Sequence, residues 1–127
     1  MQKKKVKEQI KAKIEEAKIY DIYDLLKHKP RGLGFEDTDA IVVTVKTQDG
    51  KKITETFYVC IKPDGTFATN PISSHSRFRR ETLNRFLKHY KITEEVKDYK
   101  VVEEIEKWKG MEVEVVPYKD GGYIFIP

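Results

Sequence analysis

The stretch from Ala40 to Ile61 reads AIVVTVKTQDGKKITETFYVCI, and it is the part of the sequence that predicts the fold. Apolar and polar residues alternate on both sides of Asp49-Gly50, which is the pattern of two half-buried strands. An Asp-Gly pair between two such runs is typical of a tight hairpin turn. The stretch therefore predicts an antiparallel hairpin with one core-facing side, made of Ile41, Val43, Val45, Ile53, Phe57, Val59 and Ile61.

Three further strands are predicted downstream of this hairpin. Thr66 to Thr69 follows a Pro-Asp-Gly turn and predicts a short third strand. Met111 to Val116 alternates apolar and acidic residues, and Lys119 to Gly122 turns the chain into a last strand from Tyr123 to Ile126. The sequence therefore predicts five antiparallel strands, the last two of which form a second hairpin.

Two helical segments are predicted between the third strand and the last hairpin. Ser73 to Lys91 has one apolar face at helical spacing, formed by Leu83, Phe86, Leu87 and Tyr90. Thr93 to Trp108 has a second stripe, on one helix or on a pair of short helices, and Gly110 ends it. The fold class expected from this order is α+β, with a two-helix insert.

The N-terminal residues predict one more helix, basic and amphipathic, over residues 1–29. Val6, Ile10, Ile14 and Ala17 recur at spacings of four, four and three, as on one face of a helix. Pro30 should end it, because the residue ahead of a proline is pushed out of helical geometry. Residues 30–127 would then form a single domain. The stripe of Val6, Ile10 and Ile14 also predicts a possible homo-oligomer through pairing of two such helices.

Positive charge is concentrated in two segments. Ser73 to Lys91 holds six arginines and lysines against one acid, a local charge of +5, and Met1 to Lys18 holds seven lysines against three glutamates, a local charge of +4. The whole chain carries only +4, so the remaining residues are acidic on balance. Positive charge that is concentrated on part of an otherwise acidic protein predicts a polyanionic partner.

Composition narrows the class of protein. The single cysteine, Cys60, excludes an internal disulfide framework, and its strand-like surroundings predict a reduced, buried thiol. No apolar run is long enough to span a bilayer and no secretory pattern is present, so we expect a cytoplasmic protein with no membrane partner. Charged residues make up 36% of the chain, which is typical of thermophile proteins.

The order of three strands, a helical insert and a final hairpin resembles the OB-fold, a five-stranded barrel with a helix between its third and fourth strands. The resemblance covers Ala40 to Pro127. In general plan it is similar to small OB-like proteins of phages and archaeal viruses, many of which bind single-stranded DNA. The resemblance implies a five-stranded antiparallel barrel that binds nucleic acid. A sheet with helices packed on one face remains the alternative.

The candidate binding residues are the cations of the basic segment and aromatic residues of the strands. Arginine's planar fork matches phosphate oxygens, and exposed rings provide platforms on which bases stack. The expected nucleic-acid-binding residues are Arg77, Arg79, Arg80, Arg85, Lys88, Tyr58, Phe67, Tyr123 and Phe125. The competing interpretation is a solvated helix face that pairs with the acidic body.

Enzymatic patterns are weak. The histidines His28, His75 and His89 do not stand at metal-ligand spacing with Cys60. The acids Glu36, Asp37 and Asp39 suggest a metal-dependent nuclease only as a minor alternative. Such sites usually add an acid-x-lysine pair on a strand, and the match here, Asp49-Gly50-Lys51, is a predicted hairpin turn. We therefore expect a non-enzymatic protein without catalytic residues, metal or cofactor.

The partner expected from these observations is nucleic acid, single-stranded DNA in preference to RNA, bound with little sequence preference. A second hypothesis belongs to another class. It is a structural or interaction protein that oligomerises through the N-terminal helix and binds an acidic protein partner.

Overall fold

The computed structural model describes residues 9–25, 38–68, 74–119 and 121–127 of the chain. The strands are β1 (Ile10–Asp21), β2 (Asp39–Thr47), β3 (Lys52–Val59), β4 (Glu112–Tyr118) and β5 (Gly121–Ile124). The helices are α1 (Ile22–Leu25), α2 (Ser74–His89) and α3 (Val101–Glu104), with 3-10 turns at Val96–Asp98 and Ile105–Trp108. The fold is α+β, with the helical insert between β3 and β4.

The five strands form one antiparallel sheet in the order β3-β2-β1-β4-β5. Its two outer strands come together and nearly close it into a barrel, although β3 and β5 are not paired through their backbones. At one end of this seam a Cβ on Gly122 would lie 2.7 Å from Ile53 Cδ1 and 2.9 Å from the Val116 carbonyl oxygen, so only glycine fits. Farther along, the Ile124 amide donates to Glu55 Oε1 at 3.1 Å.

The predicted first hairpin is confirmed. β2 and β3 pair through a turn in which Gly50 has a φ of +91°, the left-handed value that glycine adopts without strain. The inward residues Ile41, Val43 and Val45 are fully buried. The final hairpin is confirmed as well, as β4 and β5.

The predicted N-terminal helix is wrong over residues 10–21, which form β1. This strand lies between β2 and β4, and Ile14 is 1% exposed in the core, so the proposed oligomer stripe is not a free surface. A bulge between Ile14 and Glu16 explains the error. Inward-facing residues of a regular strand are separated by two or four positions, and the bulge adds one residue to this spacing. Ile10, Ile14 and Ala17 therefore fall at spacings of four and three, as they would on a helix. Val6 and the remaining residues of the predicted helix, apart from Gln9 and the short α1, lie outside the described residues.

The predicted third strand is also wrong. Phe67 makes only an isolated bridge with Ile61, and Thr69 lies outside the described residues. The fifth strand of the sheet is β1 instead. The number of strands was therefore predicted correctly with one strand placed in the wrong segment.

The core lies between the inner face of the sheet and helix α2. Phe86 of α2 is fully buried, and its ring centroid lies 4.9 Å from that of Phe57 and 5.8 Å from that of Trp108. Trp108 Nε1 donates to the Tyr99 hydroxyl at 2.7 Å. This hydrogen bond connects the last turn of the helical insert to the residue that follows the 3-10 turn at Val96–Asp98. None of the described helices is long and apolar enough to cross a membrane.

Candidate nucleic-acid interface

Helix α2 has the predicted buried face, and Arg77 and Lys88 of the predicted cationic side are exposed. Leu83, Phe86 and Leu87 are almost wholly buried. The exposed cations are Arg77, Arg85 and Lys88. Arg85 lies 3.7 Å from Glu81 one turn earlier, and its side chain is still 49% exposed. Such a surface pair is weak, so Arg85 remains able to exchange this partner for a phosphate.

Arg80 does not belong to the cationic face, and the expectation that it is exposed is wrong. It is 5% exposed, with its Nη1 donating to the Tyr58 carbonyl at 2.9 Å and its Nε to the Ala68 carbonyl at 3.3 Å. The guanidinium therefore connects α2 by hydrogen bonds to the end of β3, at Tyr58, and to the segment after β3, at Ala68. A group held in this way is not presented to a ligand on the surface.

Two predicted aromatics also differ from the expectation of an exposed ring. Phe67 is 2% exposed and packs in the core. Phe125 is half-buried beside the helix, with its ring centroid 5.8 Å from that of His89. Its carbonyl accepts from the Tyr90 hydroxyl at 2.6 Å, so the segment after β5 is held along α2.

A groove lies along the seam between β3 and β5, where the first half of α2 passes over them. We call it the seam groove, and its volume is about 400 Å³. It is lined by Glu55, Thr56, Phe57, Tyr58, Phe78, Arg79, Thr82, Tyr123, Ile124 and Ile126. Tyr58, Tyr123 and Arg79, which were predicted as site residues from separate parts of the sequence, therefore meet here.

The seam groove also contains an aromatic residue that the predicted site lacked. Phe78 is 65% exposed, the most exposed large apolar residue in the described part of the chain. Its spacing of five from Leu83 places it off the apolar stripe of α2, and that spacing was the available signal. Tyr118, 58% exposed, continues the aromatic surface, with its ring centroid 6.5 Å from that of Tyr123.

A shallow depression adjoins the second half of α2. Its lining comprises Glu81, Asn84, Arg85, Lys88, His89 and Pro127. Arg85 and Lys88 from this lining, together with Arg77, make the exposed side of α2 cationic along its length. The residues after β5 border both the seam groove, through Ile126, and this depression, through Pro127.

Glu55 is the acidic group of the seam groove. Burial raises the pKa of its carboxyl above the usual value, although the hydrogen bond from the Ile124 amide opposes this shift. The folded state therefore holds the Glu55 proton more tightly than the unfolded state does. This favours the folded state at low pH, and the benefit is lost as pH rises through the raised pKa.

We expect Glu55→Gln to stabilise the protein more at about pH 7 than at about pH 4, because glutamine keeps an oxygen for the Ile124 amide and cannot ionise. Urea unfolding of both proteins at the two pH values measures this. Glu106→Gln, at an exposed site outside the groove, is the control. If the two substitutions changed the pH dependence of stability equally, the role assigned to Glu55 burial would be wrong.

The acids of the minor nuclease alternative and the histidines receive little support from the described residues. Asp39 Oδ2 accepts from the Thr38 hydroxyl at 2.8 Å and the Ile61 amide at 3.2 Å, which is a structural use of that carboxylate. Glu36, Asp37 and His28 lie outside the described residues, as does the side chain of His75. Within the described ranges no three acidic, histidine or cysteine side chains are placed to hold a metal ion. Cys60, expected to be buried, is a half-buried free thiol.

Comparison of the chain with protein-family models, with curated proteins and with solved structures finds no match.

Proposed function

We propose that this protein binds single-stranded nucleic acid, DNA in preference to RNA, with little base preference and without catalysing a reaction. The observation that carries the proposal is the seam groove. Phe78, Tyr58 and Tyr123 line it together with Arg79. Rings beside a guanidinium combine a stacking platform with a phosphate contact, which is the chemistry of non-specific single-strand binding.

The sheet order supports an OB-like barrel as the finer description of the fold. β1 pairs with both β2 and β4, and β5 contacts β3. The helical insert lies between β3 and β4 in the chain. This agrees with the five-stranded, partly open barrel of that fold. Because the same fold has many functions, the order alone does not carry the proposal.

In the proposed complex, bases stack in the seam groove and the backbone follows the exposed side of α2. Phe78 and Tyr123 would contact bases, and Arg77, Arg85 and Lys88 would contact phosphates. Glu55 lowers the local positive potential in the groove. Arg80 and Phe67 are omitted from this surface because they are buried.

Phe78→Ala is expected to weaken binding of a labelled oligothymidine roughly five-fold to 150-fold, the effect of losing about 1–3 kcal/mol of stacking. Charge reversal of Arg77 and Lys88 together is expected to weaken binding and to reduce the salt slope by about 0.7 for each phosphate that is no longer neutralised. Fluorescence anisotropy over a series of salt concentrations measures both quantities.

Lys62→Glu combined with Lys97→Glu is the matched control, since it reverses two exposed charges that belong neither to α2 nor to the lining of the seam groove. It should lower affinity only slightly. Absence of oligothymidine binding at low salt would contradict the proposal. Equal losses in the control and in the Arg77/Lys88 variant would contradict the assigned surface.

A further inference from the structure

The outer face of the sheet contains a row of lysines that neither the basic helix nor the seam groove includes. Lys13 of β1 is directly opposite Lys46 of β2, and Lys46 is directly opposite Lys52 of β3. Residues in direct register project to the same face, and all three are exposed. Like charges directly opposite each other destabilise a sheet, and the row contains two such pairs. Among the described residues, acids offset it only at its ends, where Glu112 is directly opposite Lys13 and Glu15 lies 3.1 Å from Lys52.

A groove of about 410 Å³ lies beside this row, at the bulge of β1. Four lysines contribute to its lining, namely Lys11, Lys13, Lys46 and Lys109. The lining is mostly apolar. Lysine contributes to such a surface through its aliphatic stem while the ammonium group stays in water. We call this site the lysine groove.

Charge in the lysine groove is only partly neutralised. The two acids in its lining have partners, because Glu112 lies 3.9 Å from Lys11 and Glu15 lies 3.1 Å from Lys52. Lys13, Lys46 and Lys109 have no ion pair with any described residue. Within the described part of the chain, the groove thus presents three lysines without an ion pair around an apolar surface, with Glu112 directly opposite Lys13 on β4.

We propose that the lysine groove binds a short acidic peptide segment of a partner protein, with an apolar side chain of that segment in the groove and its carboxylates on the lysines. Charge complementarity supplies the attraction and the orientation. The mostly apolar lining supplies a place for one aliphatic side chain. This site is separate from the proposed nucleic-acid surface and does not depend on it.

A nucleic acid suits the lysine groove less well than a peptide does. No aromatic side chain lines it among the described residues, whereas exposed rings border the seam groove. Single strands bound without sequence preference need such rings for stacking. A phosphate backbone could use the ammonium groups but would leave the apolar lining unfilled.

Lys46→Glu is the decisive substitution, because it places a negative charge directly between Lys13 and Lys52. It should keep or raise the melting temperature, since two like-charge pairs become opposite-charge pairs. It should also weaken binding of a fluorescein-labelled peptide of alternating aspartate and leucine about tenfold. Fluorescence anisotropy and thermal unfolding of the same preparation give both results, so a loss of affinity is separated from a loss of fold.

Lys97→Glu, an equal charge change at an exposed site elsewhere, should leave peptide affinity unchanged. An all-aspartate peptide should bind more weakly than the leucine-containing one if the apolar lining takes part. Failure of the wild-type protein to bind the mixed peptide at low salt would overturn the proposal, as would equal binding by wild type and Lys46→Glu. A loss of oligothymidine binding in Lys46→Glu as large as its loss of peptide binding would assign the groove to nucleic acid instead.

Discussion

Phe86→Ala is expected to lower the free energy of unfolding by about 3–5 kcal/mol, the usual effect of removing a fully buried aromatic ring. The ring centroid of Phe86 lies 4.9 Å from that of Phe57 on the sheet, 5.5 Å from that of Tyr90 and 5.8 Å from that of Trp108. The substitution therefore opens a cavity where helix, sheet and insert meet. Because domains are stable by only about 5–15 kcal/mol, we expect a large drop in the urea midpoint.

Phe78→Ala is the matched control on the same helix. Phe78 is 65% exposed, so its removal should change stability by less than about 0.5 kcal/mol while it weakens oligothymidine binding. Urea unfolding followed by circular dichroism compares the two variants. Similar losses of stability for Phe78→Ala and Phe86→Ala would show that the division of α2 into a buried and an exposed face is wrong.

Arg80→Ala is expected to lower the free energy of unfolding by roughly 3 kcal/mol, because at least two hydrogen bonds from a charged donor are removed. The Tyr58 and Ala68 carbonyls are then left without the guanidinium that they accept from. Arg80→Lys should recover only part of the stability, because one ammonium group does not reproduce the planar fork that reaches both carbonyls. Urea unfolding of the three proteins measures the difference.

Arg85→Ala provides the contrast, since it removes the same side chain from an exposed site of α2. Its ion pair with Glu81 is worth about 0.5 kcal/mol or less. A loss of stability for Arg80→Ala no larger than that for Arg85→Ala would contradict the structural role of Arg80. If Arg80→Lys kept full stability, the need for both carbonyl contacts would be disproved.

The sequence predicted those parts of the fold in which local pattern and final packing agree. β2 and β3 alternate cleanly, and Gly50 occupies the turn between them, so this hairpin was predicted correctly. β1 was mistaken for a helix because its bulge makes a strand satisfy a helical spacing. Local sequence alone does not distinguish a bulged strand from a helix here. The strand is specified by long-range pairing, such as that of Lys13 with Glu112, which are far apart in the sequence.

Helix α2 contained a signal that was not used. Arg80 lies three residues before Leu83 and seven before Leu87, which places it on the apolar stripe, yet its charge suggested exposure. By contrast, the seam groove could not be derived from the sequence. It exists because β5 returns to β3, and that approach depends on Gly122 fitting against Ile53.

The position of β1 has a consequence for the order in which the barrel can be assembled. The strand that is synthesised first is the central one, and it can pair with β2 as soon as that strand is made. Its other edge must wait for β4, almost at the end of the chain. Until then the half-built sheet has an open edge on its middle strand, which is where two unfinished chains would join. Removing the lysine-rich start of the chain as a dispensable tail would take away the strand on which both halves of the sheet are built.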